Sequence, residues 1–173
     1  MTGDGASDGV RVAVVMGVSG SGKTTLARAL AAAWPATFLD ADDFHSDEAR
    51  ERMASGQPLT DDMRDPWARR IAVDLQRRVA AGERVALAFS GLRKRHRDAL
   101  RASGTPMRFL FLQGDKALIA ERMRARKGHY MPASLLDSQF DAFEPPRGEP
   151  DVHAIAIDAV PARILEQALV ALA

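Results

Sequence analysis

The chain has no cysteine in its 173 residues, which excludes disulfides, thiol nucleophiles and cysteine-ligated zinc and is compatible with a reducing compartment. It also lacks an excess of either charge. Lys and Arg number 24 against 23 Asp and Glu, a formal net charge of +1, so the overall balance selects neither a nucleic-acid nor a membrane partner. Aromatics are only 6% of the chain, and the basic residues are not interleaved with the rings on which single-stranded nucleic acid stacks. No apolar run is long enough to span a bilayer. Residues 1–9 are small, acidic and polar, which suits a disordered tail and not a secretion signal; a cytoplasmic protein is the expectation.

Against these absences stands one dense motif. Gly17-Val18-Ser19-Gly20-Ser21-Gly22-Lys23-Thr24 follows an apolar run over 10–16 and precedes a stretch, 25–33, rich in helix formers. Strand, glycine loop and helix together make a phosphate-binding loop. The glycines let the backbone curl so that N–H groups point at phosphate oxygens, and the helix adds the positive end of its dipole. Lys23 then reaches the β- and γ-phosphates, and Thr24 binds Mg²⁺. Candidate nucleotide contacts are Gly17, Ser19, Gly20, Ser21, Gly22, Lys23, Thr24 and the adjoining Thr25.

Trp34-Pro35 breaks the first helix, and 36–40 reads as a second strand ending on Asp40. Next comes a helical insertion over about 44–82, with helices expected from Asp47 to Ser55 and from Pro66 to Ala80 around a Gly56-Gln57-Pro58 turn. Further strands are expected at 84–89, 107–112 and 152–157, and helices opening at Ser90, over 116–126 and from Pro161. This alternation predicts an α/β fold: one domain over 10–173, with a five-stranded parallel sheet, helices on both faces and right-handed crossovers.

Four further groups carry chemistry. Asp40-Ala41-Asp42-Asp43-Phe44-His45 puts three carboxylates and an imidazole past a strand end, beside the phosphate loop. Asp40 is placed to hold Mg²⁺ through water, and Asp42 to accept the proton of an attacking hydroxyl; capping of the next helix by Asp42 or Asp43 is the alternative. The third strand ends in Phe89-Ser90 with no acid, so Asp40 must supply the carboxylate toward the metal. A basic cluster, Arg122, Arg124, Arg126, Lys127 and His129, either complements a helix C-terminus or closes over the nucleotide, with Arg122 and Arg126 one turn apart on one face. In the insertion, Thr60 or Asp61 caps a helix and Arg64 offers a guanidinium to an anionic acceptor. In the basic run after Ser90, Arg97 is the candidate for an inward-facing arginine.

Taken together these residues resemble a gluconokinase of the small phosphate-loop type, related to shikimate and nucleoside-monophosphate kinases. The resemblance runs from Met16 to about Pro146. It is carried by the loop, Asp40-Ala41-Asp42-Asp43-Phe44-His45, Gly56-Gln57-Pro58-Leu59, Arg64-Asp65-Pro66-Trp67, Ser90-Gly91-Leu92-Arg93-Lys94 and Arg97-Asp98. Most distinctive are Ala125-Arg126-Lys127-Gly128-His129-Tyr130-Met131, Ser138-Gln139-Phe140 and Glu144-Pro145. It implies a P-loop NTPase fold, a nucleoside-monophosphate-kinase-like three-layer sandwich with a lid over about 122–136. It also implies ATP- and Mg²⁺-dependent phosphorylation of D-gluconate on its 6-hydroxyl by a homodimer. Lys23, Asp42 and Arg126 are the catalytic candidates, Arg122 and Arg126 join the ATP contacts, and Asp42, His45, Arg64, Arg97 and His129 face the sugar acid. The chain departs from the family pattern at Ser46, Ala49, Met63, Arg93 and His96. Those departures keep open a kinase for another small sugar acid or a shikimate-like acid; a nucleotide-binding regulatory protein is the alternative of a different class.

Overall fold

The structure, a computed structural model, describes residues 9–125 and 133–173. Its strands are β1 (Val12–Met16), β2 (Thr37–Asp40), β3 (Val85–Phe89), β4 (Met107–Gln113) and β5 (Val152–Ala156). Its helices are α1 (Lys23–Ala33), α2 (Asp47–Ala54), α3 (Asp61–Ala80), α4 (Lys94–Arg101), α5 (Lys116–Ala125), α6 (Ala133–Ala142) and α7 (Pro161–Leu172), with a 3-10 turn at Ala41–Phe44. The strands form one sheet in the order β2-β3-β1-β4-β5, and every neighbouring pair is parallel.

All five residues of β1 are sealed from solvent, which is why the run is apolar throughout and does not alternate. Ala13 and Val15 face a core completed by Leu26 and Leu30 of α1, Ile119 of α5, Leu136 of α6 and Ala168 of α7. Val12, Val14 and Met16 face the other layer, built on Trp67, Ile71 and Leu75 of α3 and Leu100 of α4. The chain first leaves β1 toward β3 and β2, then toward β4 and β5. A crevice therefore opens beyond the carboxyl end of β1, at the switch point where open α/β sheets bind ligands. Among the described residues no helix is long and apolar enough to cross a membrane.

Three local expectations shift. α3 starts at Asp61 and not at Pro66, because Thr60 caps it: its hydroxyl accepts from the Met63 N–H at 3.2 Å. Pro66 thus lies inside the helix and forgoes only the bond to the Asp62 carbonyl, one turn from the end. α4 starts at Lys94, leaving 90–93 as a loop over the strand ends. No helix was expected over 133–142, yet α6 forms there, with Leu136 and Phe140 one turn apart and packed in the core.

Arg97 is a correction. It was expected to face the acceptor, but it is fully buried, donating from Nε and Nη2 to the Glu149 carboxylate (2.9 and 2.7 Å) and from Nη1 to the Gly91 carbonyl (2.7 Å). Arg101 adds bonds of 2.8 Å to Glu149 and Asp151. The pair fastens α4 to the segment entering β5, and Arg97 is sealed away from the cleft where a substrate would bind. The Arg97 hydrogen bonds hold the Glu149 carboxyl below its ordinary value of 4.5. Its contribution to stability is therefore complete above that value and is lost as pH falls through the lower folded-state pKa. Glu149→Ala, which strands the Arg97 charge, is expected to cost about 3–5 kcal/mol in urea denaturation at neutral pH.

Candidate active site

β1 delivers the chain to the crevice, and the Gly17 N–H donates to the Ser90 carbonyl at 3.2 Å, tying the loop to the residue after β3. Gly20 has φ of +82°, and a Cβ there would lie 2.5 Å from Cγ of Met123 on α5; the loop is gripped from outside at that point. Gly22 caps α1 in the left-handed conformation, φ +100°, and no side chain bonds the first N–H groups of the helix. A Cβ at Gly22 would meet no atom within 4 Å, so the loop's inner side is open. Among the described residues the N–H groups of Gly20, Gly22 and Thr24 have no protein acceptor. Donors left in this state at a helix N-terminus are matched to phosphate oxygens. Lys23 Nζ curls over the loop and donates to the Val18 carbonyl at 3.1 Å.

The acidic side is built from the end of β2. Asp40 caps the 3-10 turn, its Oδ1 accepting from the Asp42 N–H at 2.9 Å; Ser46 caps α2. Neither Asp42 nor Asp43 is a helix cap. Burial pushes the Asp40 carboxyl up, reinforced by the charges of Asp42 and Asp43. A cation would relieve that crowding. The Asp42 carboxyl is held low, first by the neighbouring His45 imidazole and then by the Lys23 charge. His45 Nε2 lies 3.6 Å from Asp42 Oδ1, and its ring stacks on Trp67 with centroids 4.5 Å apart. Trp67 in turn stacks on Phe89 and donates from Nε1 to the Ala41 carbonyl at 2.7 Å. The acceptor side of the site therefore rests on the core through one indole.

Ser19, Gly20, Gly22, Lys23, Thr24, Asp40, Asp42, His45 and Arg64 line one cleft of about 580 Å³, within the range of small-molecule sites. Gly17 and Ser21 are buried within the loop and Thr25 is exposed on α1, and none of the three lines the cleft. Arg64 is half-buried, and its guanidinium makes no hydrogen bond or close ion pair among the described residues. Burial pushes its pKa down and Arg93 adds to this, while the Asp61 charge opposes it without making contact, so an anion in direct contact is the partner it lacks. Arg122 donates to the Ile157 carbonyl at 2.7 Å and does not line the cleft. Arg126 and His129 lie outside the described residues, as does part of the segment expected to act as a lid. Among the described residues no three His, Cys, Asp or Glu gather as metal ligands.

Gln139 is one of several cleft residues that residue-by-residue reading missed, Arg28 and Gln57 among them. It reaches from α6 to Ser19, and its one trace in the sequence is the Ser138-Gln139-Phe140 motif. Of the positions that depart from the family pattern, Ser46, Ala49, Met63, Arg93 and His96 do not line the cleft. Ser46 Oγ accepts from the Ala49 N–H, Ala49 is buried, and His96 is buried against Asp65.

Open donors at a glycine loop, with a carboxylate pair and an unpaired arginine across a single cleft, define a phosphate-loop kinase, an enzyme that uses ATP. A family model described as "AAA domain" matches residues 12–146. The thermosensitive gluconokinase of Escherichia coli (strain K12) is 40% identical over 155 residues, covering 89% of this chain and 83% of that protein. A gluconokinase from Sinorhizobium meliloti 1021, solved by crystallography, is 41% identical with a TM-score of 0.85, over 93% of this chain and 90% of that one. A sugar kinase from Janibacter sp. HTCC2649 is also 41% identical, with a TM-score of 0.88 over 94% of each chain. The chain belongs to the gluconokinase family.

Gly20→Ala is expected to weaken nucleotide binding by about tenfold or more, since a side chain at positive φ costs about 1–2 kcal/mol before Met123 is displaced. Calorimetric titration with ATP, beside a thermal melt showing the fold retained, checks this.

Proposed function

We propose that this chain is an ATP-dependent gluconokinase that phosphorylates the 6-hydroxyl of D-gluconate. The observation that carries the acceptor side is Arg64: a desolvated guanidinium with no contacting carboxylate among the described residues faces the same cleft as the phosphate loop and Asp42. A carboxylate is the planar anion such a fork binds bidentately. Bound there, a sugar acid can present its far hydroxyl to the phosphate loop. That the departures from the family pattern fall outside the cleft supports gluconate over another acid.

The loop N–H groups and Lys23 hold the β- and γ-phosphates. Mg²⁺ belongs to this reading, held by the Thr24 hydroxyl and through water by Asp40, and it supplies neutralising charge to the phosphates. The acceptor oxygen forms its bond to the γ-phosphorus as the bond to the β-phosphate oxygen breaks, and the hydroxyl proton passes to the Asp42 carboxylate. Because His45 keeps the Asp42 pKa low, Asp42 is ionised at neutral pH but a weak base. Its main contribution is orientation, and charge stabilisation dominates the rate. Arg126 serves the transferring phosphoryl and His129 the acceptor in this reading, while Arg122, bonded to the Ile157 carbonyl outside the cleft, has no part in it.

The first measurement is ADP release from MgATP with and without D-gluconate, beside a panel of other sugar acids. Gluconate-dependent turnover is expected, and gluconate inert while another acid turns over would overturn the assignment. Lys23→Ala is expected to lower kcat by about 10²–10³-fold, and Asp42→Asn by less than about 10²-fold. Equal residual rates in the two folded variants would contradict that ordering.

His45→Ala removes the imidazole that most lowers the Asp42 pKa. The acid limb of the kcat/KM profile is therefore expected to move to higher pH; an unmoved limb would take Asp42 out of the proton-accepting role.

A further inference from the structure

α6 touches the phosphate loop through one carboxamide. Gln139 Oε1 accepts from the Ser19 N–H at 2.7 Å, while its Nε2 donates to Ser19 Oγ at 3.0 Å. The N–H and the hydroxyl of a single loop residue are thus engaged by one side chain. Ser19 occupies a particular place in the loop. Lys23 Nζ rests on the carbonyl of the preceding residue, Val18, and a lysine in this position reaches the β- and γ-phosphates. Ser19 therefore stands at the end of the loop where the outermost phosphate arrives, whereas Gly22 and Thr24 stand at the helix end. Ser19 and Gln139 both line the cleft. A carboxamide carries an acceptor and two donors. A phosphate oxygen that takes the Ser19 N–H displaces the acceptor half, and the donor half remains free to bond the same phosphate.

We propose that Gln139 is a positioning residue that reads the γ-phosphate. Resting on the ATP-binding reading above, it occupies the Ser19 N–H in the absence of a γ-phosphate. It yields that N–H to a γ-phosphate oxygen when ATP binds, and then donates from Nε2 to the same group. ADP ends at the β-phosphate and leaves the Gln139 and Ser19 pair in place. The side chain thus separates substrate nucleotide from product nucleotide and orients the phosphoryl group to be transferred.

The test is calorimetric titration of wild type, Gln139→Glu and Gln139→Ala with ADP and with a non-hydrolysable imido analogue of ATP, in Mg²⁺ and without gluconate. Gln139→Glu keeps an acceptor for the Ser19 N–H but turns the donor half into a charged oxygen facing the γ-phosphate. The triphosphate analogue is expected to bind it about tenfold or more weakly than wild type, with ADP affinity within about threefold. Gln139→Ala is expected to lose about three- to tenfold for the triphosphate alone. With gluconate and ATP, kcat should fall in both variants by a larger factor than KM for gluconate rises. Equal weakening of both nucleotides, or an unchanged triphosphate-to-diphosphate ratio in both variants, would overturn the proposal and leave Gln139 as packing between α6 and the loop. Wild type binding neither nucleotide would instead overturn the phosphate-site reading on which it rests.

Discussion

Everything in this molecule depends on backbone N–H groups that the protein itself does not satisfy. A buried or constrained donor without an acceptor is costly, so the loop after β1 has to be forced into shape by its surroundings. β1 is sealed on both faces, Ser90 pins the Gly17 N–H, Met123 closes against Gly20, and Gly22 accepts a left-handed turn. Phosphate oxygens then complete what the fold leaves open. The sheet order puts Asp40 of β2 and the residues after β3 on the same rim, so the donors for phosphate and the carboxylates for the acceptor share one mouth.

Two arginines show how a buried charge declares its purpose. Arg97 sits in a network with Glu149, Arg101 and Asp151, each charge answered by another. Arg64 is half-buried with no such answer. The first arrangement is closed and holds α4 to the approach of β5. The second is open and gains its counterion only when a ligand enters. In a chain of near-zero net charge, the distinction lies wholly in local pairing.

The phosphate loop was legible in the sequence because its backbone conformation demands glycine at fixed spacing, and such a demand survives as a pattern of letters. β1 and β3 were legible because burial on both faces excludes polar residues. Arg97 was misread because the direction in which a helix points one of several adjacent arginines depends on what packs against it, here Glu149, 52 residues away. α3 was placed too late because proline was taken as the start, when Thr60 had already capped the helix. Gln139 was invisible to residue-by-residue reading for a related reason. A carboxamide marks no period and no charge, and it acquires meaning only where α6 brings it to Ser19.

The indole of Trp67 has a further consequence. The chain carries two tryptophans. Trp34 lies under the Arg84 guanidinium, away from the cleft, while Trp67 lines the cleft and bears His45 on its ring. Indole emission responds to what is stacked on the ring, so any ligand that lifts or tightens His45 alters the emission of one tryptophan and not the other. The stack that holds the acceptor side rigid also makes the molecule an optical sensor of its own occupancy, with no dye attached.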